Sequence, residues 1–142
     1  MTISFHIDSI IQEVIQSLDP YSNFSNMAEL YHNSIRIQGE NFPIENRIHL
    51  FALGKAASYE IEAFKRLITQ SDLKAKLGDC VAYTKDEHTV LDKDIIQIEG
   101  THPIVSKRNL ENSKEFVKRL GNVKAEDTLI FLLSGGGSAL LE

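Results

Sequence analysis

Two glycine-marked turns carry the chemistry that this sequence can perform. Ser134-Gly135-Gly136-Gly137-Ser138 sets three consecutive glycines between two hydroxyls, directly after the apolar run Leu129-Ile130-Phe131-Leu132-Leu133. Glycine permits φ > 0 and close backbone approach, and successive N–H groups at a helix start can form a nest for an anion. Gly54-Lys55-Ala56-Ala57 follows a second apolar run, Ile48-His49-Leu50-Phe51-Ala52-Leu53. There a tight turn and a new helix N-terminus offer N–H groups, and Lys55 adds a full positive charge. Both turns point to phosphate or carboxylate binding, with Gly54, Ser134, Gly135, Gly136, Gly137 and Ser138 as the contacts around Lys55. The plainer alternatives are a tight turn bearing a solvated lysine and a flexible glycine loop. Neither turn fits a familiar signature. His49 stands where a Walker A loop needs its first glycine, and Ala56 where it needs Ser or Thr. Leu140 replaces the third glycine of a dinucleotide fingerprint and the last glycine of a nucleophile elbow built on Ser138.

Weaker candidates lie near other strand ends. His102, in Thr101-His102-Pro103, is either an anion contact or, more commonly for such residues, a histidine bonded to backbone. Lys85 and His88 sit in a polar run that reads by itself as a solvated loop. Lys107 and Arg108 open a helix, where their charge opposes the dipole, and Lys107 has Glu111 four residues on as a partner. No carboxylate pair offers a metal site, and no nucleophile stands close in sequence to a base. The single Cys80 excludes an internal disulfide.

The elements that must position these turns follow from hydrophobic spacing. Ile3, Ile7, Ile10, Ile11, Val14 and Leu18 form one helical stripe, which Asp19-Pro20 ends. Ser25 is expected to cap a second helix carrying Met27, Leu30 and Tyr31, and residues 39–43 read as a loop. Strands are expected at 48–53, 80–83, 95–98 and 129–133, the first and last buried on both faces. Ala57, Ile61, Phe64 and Ile68 mark one intervening helix; Leu110, Phe116, Val117 and Leu120 mark another, with Gly121 at its C′ position. Strands alternating with helices predict a three-layer α/β/α sandwich with a mainly parallel, Rossmann-like sheet, in which ligands bind at the C-terminal strand edge. The strand at 129–133 is expected at the centre, since so apolar an edge would invite aggregation. After the glycine loop only about one helical turn remains, too short to be stable alone. That suggests a fragment of something longer.

At 142 residues, 42% hydrophobic and 25% charged, the chain has the composition of one globular domain. A net charge of −5 without a basic stripe excludes a typical nucleic-acid binder. No apolar run reaches the roughly 18 residues of a membrane helix, and no signal peptide is visible. A cytoplasmic location is the default expectation.

Taken together, the landmarks resemble the N-terminal domain of the glycerate 2-kinase family, two-domain enzymes once linked to hydroxypyruvate reductase. They are Ser17-Leu18-Asp19-Pro20, Leu53-Gly54-Lys55-Ala56-Ala57, Thr84-Lys85 with His88, Ile98-Glu99-Gly100-Thr101-His102-Pro103, and the stretch from Ile130 through the glycine loop to Leu141. The resemblance implies ATP-dependent phosphorylation of D-glycerate to 2-phosphoglycerate. It makes Lys55 the catalytic lysine, puts the loop at 134–138 in the active-site cleft, and brings Mg²⁺ beside the nucleotide with ligands not identifiable here. Lys85 and His102 are further candidate substrate or anion contacts. This chain departs from the family at Ile104-Val105-Ser106, where a proline and an aspartate are usual, and at Glu87, where a glycine often stands. The family's second domain has no counterpart in the 142 residues, so the isolated chain is expected to be silent and prone to self-association. Hydroxypyruvate reduction and a non-catalytic anion- or nucleotide-binding remnant are the competing expectations.

Overall fold

Continuous apolar runs build one parallel sheet, and a short alternating stretch builds a small antiparallel meander beside it. The computed structural model describes residues 2–85, 92–101, 104 and 106–141; His88 and His102 lie outside the described residues. Helix α1 (Thr2–Ser17) presents the expected stripe, but Ile7, Ile10, Ile11 and Val14 are about half exposed and do not join the core. Asp19 and Pro20 do more than end it. The Asp19 carboxylate accepts from the Ser22 N–H at 2.9 Å, and Pro20 takes the first position of α2 (Pro20–Met27). The second helix is thus capped at Asp19 rather than Ser25, and Ser22 holds the Asp19 carboxyl below its ordinary pKa.

Residues 28–43 depart further from expectation. They form strands β1 (Ala28–Tyr31), β2 (Ser34–Ile37) and β3 (Glu40–Pro43), paired antiparallel in that order. Leu30 and Tyr31 therefore lie in a strand, and most of the expected loop at 39–43 is β3. The physical reason is local. Ser34-Ile35-Arg36-Ile37 alternates with period two, and Gln38 (φ 49°) and Gly39 (φ 88°) supply the left-handed two-residue turn that a tight hairpin prefers. Ile35 is buried and joins the main core beside Ile44.

The main sheet is parallel throughout, in the order β6-β5-β4-β7, formed by β4 (Ile48–Leu53), β5 (Leu77–Lys85), β6 (Ile96–Gly100) and β7 (Thr128–Leu133). Its two faces carry different helices. Leu50 and Ala52 of β4 face Ile61, Phe64 and Ile68 of α3 (Ala57–Thr69). Phe51 and Leu53 share the opposite face with Phe116 of α4 (Lys107–Leu120) and Leu140 of α5 (Gly137–Leu140). Phe116 meets Phe51, Tyr83 and Phe131 with ring centroids 5.5, 5.7 and 6.2 Å away. The three-layer α/β sandwich is as expected.

Two details are not. β7 lies at the edge, with β4 its only strand partner among the described residues, and Leu133 is 68% exposed. An apolar run reports what a strand can bury, whereas position in the sheet is set by which strands pair. Gly121 is the C-cap of α4 with φ −67°, in the right-handed region, because Asn122 and Val123 continue with turn bonds to Arg119 and Leu120. No described helix is long and apolar enough to cross a membrane.

At the N-terminal strand ends a polar lock fixes the register. Nδ1 of buried His49 accepts from the Asp79 N–H at 3.0 Å, which leaves Nε2–H to face Asp127 Oδ2 at 3.3 Å. A side chain at Gly78 would stand 2.7 Å from the His49 ring, so glycine is required where the β4–β5 register shifts. Asp127 also accepts from Asn46 and from the N–H groups of Arg47 and Lys124. Desolvation alone would raise the Asp127 carboxyl, but these donors together hold it below its ordinary pKa. A depressed carboxylate stabilises the fold above its unfolded pKa, and that contribution disappears as pH falls through the folded one. Asp127→Asn should therefore melt several degrees lower at pH 7, with the gap closing below about pH 4. Melting curves across that range test this, and a pH-independent gap would contradict it.

Candidate functional site

β4 and β7 run parallel and in register, Leu53 opposite Leu133, so both chains leave the sheet at the same height. The pairing then continues beyond the strands. Ser134 N–H donates to Leu53 O at 3.0 Å, Lys55 N–H to Gly135 O at 2.9 Å, and Ala56 N–H to Ser134 Oγ at 3.1 Å. Gly54 N–H bonds Tyr83 O on the other side at 3.0 Å. This clasp demands glycine at position 54: φ is +129°, and a Cβ would sit 2.5 Å from both the carbonyl oxygen and Oγ of Ser134. The Lys55 turn and the glycine loop are thus one structure, joined by backbone.

The two turns do not contribute alike. At the start of α3 the N–H groups of Lys55, Ala56 and Ala57 are all engaged, the last by Gly54 O at 3.2 Å. Glu60 adds an acidic group in the first helical turn. The expected backbone cradle at Gly54-Lys55 is therefore closed, and what this turn offers is the exposed Lys55 side chain. The second loop is the reverse. Among the described residues, none of the turn and loop backbone hydrogen bonds is donated by Gly135, Gly136, Gly137 or Ser138. Gly136 is left-handed (φ +87°), Gly137 is packed against Leu133 and Leu53, and around Gly135 the space is open.

The single turn of α5 is short, yet it is held. Leu140 is fully buried, and its carbonyl accepts from the Tyr83 hydroxyl at 2.7 Å and from Ser113 Oγ at 3.3 Å. Tertiary hydrogen bonds supply what a lone turn lacks. Lys85 ends β5 opposite Gly100, half-exposed at the same sheet edge, whereas His102 lies outside the described residues. Among the described residues no group of three His, Cys, Asp or Glu side chains could hold a metal ion.

Sequence reasoning missed Glu60, Tyr83 and Asn109. Glu60 hydrogen-bonds Ser134, and its Oε2 is buried without a partner among the described residues. Desolvation raises its pKa, only partly offset by the Ser134 bond. Spacing gives no hint of this pairing, because 74 positions of chain separate the two residues until β4 and β7 pair.

Three substitutions follow from this geometry. Gly54→Ala should cost about 3 kcal/mol or prevent folding, since it adds both strain and overlap, whereas Gly135→Ala should melt near the parent; chemical denaturation of both tests the contrast. A carboxyl with a raised folded pKa favours the fold below its unfolded pKa and loses that advantage as pH rises. Glu60→Gln keeps an acceptor for Ser134, so it should be the more stable protein at pH 7 and equal to the parent near pH 4 in thermal melts.

Comparison with known proteins places these residues in context. Residues 6–142 match the family described as Domain of unknown function (DUF4147). The chain is 32% identical over 133 residues to the glycerate 2-kinase of Pyrococcus horikoshii, covering 94% of this chain and 29% of that protein. It is 35% identical over 136 residues to the glycerate 2-kinase of Sulfurisphaera tokodaii, covering 96% and 32%. Among solved structures, a P. horikoshii OT3 protein superposes with a TM-score of 0.75 at 29% identity, over 99% of this chain and 30% of that one. The glycerate kinase of Thermotoga maritima gives 0.58 at 31% identity, over 68% and 22%. The chain thus spans about 30% of the length of the curated relatives it matches.

Proposed function

The chain belongs to the DUF4147 family, and on that footing we propose that it forms the phosphate-handling wall of a glycerate 2-kinase. The reaction is ATP-dependent phosphorylation of D-glycerate at its 2-hydroxyl. The observation that carries this reading is the clasp: Lys55 is bonded through its N–H to Gly135, beside the N–H groups of residues 135–138, which donate no turn or loop backbone hydrogen bond among the described residues. The names of the relatives agree with it.

Phosphoryl transfer requires little covalent chemistry from the protein; it requires positioning and neutralisation of charge on the moving group. The N–H groups at 135–138 orient phosphate oxygens, and the Lys55 ammonium offsets their charge. The closed start of α3, with Glu60 behind it, disfavours a second anion there and leaves the glycine loop as the anion contact. A nucleotide supplies the phosphoryl group. Mg²⁺ would be held mainly by its phosphates, because the described residues provide no ligand cage. Lys85, at the same edge, is the candidate contact for the glycerate carboxylate.

Residues 1–142 span about 30% of the curated relatives they match, and most of a kinase's rate comes from enclosing both substrates. Residues 1–142 should therefore bind ATP or inorganic phosphate weakly and turn over little D-glycerate. Joined to the remaining portion of a longer relative, they should produce 2-phosphoglycerate. Lys55→Ala should weaken ATP binding about tenfold while the melting temperature stays within about 2 °C. Calorimetric titration and a 2-phosphoglycerate assay test this. Unchanged ATP affinity in Lys55→Ala would overturn the assignment of the lysine.

A further inference from the structure

Behind the glycine loop lies a buried amide that nothing in the proposed chemistry uses. Asn109, in the first turn of α4, is fully buried. Its Oδ1 accepts from the Thr101 N–H at 3.0 Å and from Ser106 Oγ at 3.1 Å. Its Nδ2 donates to Thr101 O at 3.0 Å and reaches Ala139 O at 3.5 Å. The side chain thus grips both backbone groups of Thr101, as a neighbouring strand would, and touches the turn that follows the glycine loop. Its own carbonyl stands 3.2 Å from the Tyr83 hydroxyl, which donates its proton at the shorter 2.7 Å to Leu140 O. One turn further along α4, Ser113 reaches the same Leu140 carbonyl.

A buried amide with this many partners is costly to misplace, because each broken bond leaves a desolvated group. Thr101 and Ala139 lie 38 positions apart in sequence, on strand-end segments that share no backbone hydrogen bond among the described residues. Leu140 and Tyr83 pack beside Gly100, and the side chain of Asn109 adds the polar link that reaches both Thr101 and Ala139.

We propose that Asn109 is a positioning residue that fixes Thr101 against the glycine loop, so that an anion held at 135–138 is sensed at Thr101. The inference rests on the phosphate-handling reading above and extends it to a second segment of the same sheet edge. Asn109 touches no substrate; it acts through the backbone of Thr101 and Ala139.

The test compares the parent chain with Asn109→Asp, which keeps the acceptor but loses both donors, and with Asn109→Ala. Ile68→Val serves as a control that disturbs the core on the opposite face of the sheet, in the cluster that contains neither segment. Amide spectra, hydrogen exchange and binding of inorganic phosphate and ATP are the readouts. Both Asn109 variants should shift the amide signals of 135–138 and weaken phosphate binding about fivefold, and the control should do neither. In the parent, added phosphate should slow exchange of the Thr101 amide. Folded Asn109 variants with unmoved loop signals would overturn the proposal, and so would a control with the same effects. If the variants do not fold, the exchange of Thr101 in the parent decides: slowing supports the proposal, and a response confined to 135–138 sinks it. Should the parent bind neither phosphate nor ATP, the functional reading fails; the proposed sensing at Thr101 then fails with it, while the loop signals still report whether Asn109 positions the loop.

Discussion

The approach of Gly54 to Ser134 is the constraint on which the rest of the site depends. Parallel strands ordinarily end in separate loops, each free to diverge. Here the ladder between β4 and β7 runs on through Ser134, Lys55 and Ala56, and it can do so because residue 54 has no Cβ to meet the Ser134 carbonyl. The lysine and the glycine loop therefore hold a fixed relation that does not depend on any long side chain. For charge stabilisation, rigid placement of donors matters more than their number, since a preorganised dipole does not have to reorient as charge moves.

The same clasp decides which groups remain for a ligand. A helix N-terminus is usually read as an anion site because its first N–H groups lack partners. At the start of α3 that argument fails, since the early N–H groups are consumed by the clasp and Glu60 sits one turn in. The glycine loop keeps its N–H groups, and buried bonds from Tyr83 and Ser113 hold the short α5 behind it. One turn carries the exposed ammonium of Lys55, and the other carries the glycines.

The two ends of the sheet divide their work in a related way. At the N-terminal ends, backbone N–H groups of Asp79, Arg47 and Lys124 engage His49 and Asp127, which sets the register of β4 against its neighbours. At the C-terminal ends the glycines concentrate, and the loop at 135–138 donates no turn or loop backbone hydrogen bond among the described residues. Because register propagates along a strand, the lock at one end determines the height at which Leu53 and Leu133 deliver the two loops at the other.

Periodicity and glycine placement carried the layer order, the four parallel strands and both turns, since these follow from nearest-neighbour rules along the chain. The meander at residues 28–43 was missed, because helical spacing of Met27, Leu30 and Tyr31 outweighed the alternation of Ser34-Ile35-Arg36-Ile37 and the Gln38-Gly39 turn. The edge position of β7 was not legible, because the apolarity of Leu129-Ile130-Phe131-Leu132-Leu133 is the same whether one partner strand flanks it or two. The motif types in the sequence by themselves determined that a lysine and a glycine-rich nest stand at strand ends. Only the tertiary structure decided which N–H groups are left over, that Glu60 lies behind Ser134, and that Asn109 joins Thr101 to Ala139. Those facts depend on contacts between residues dozens of positions apart, and such contacts exist only once the strands have paired.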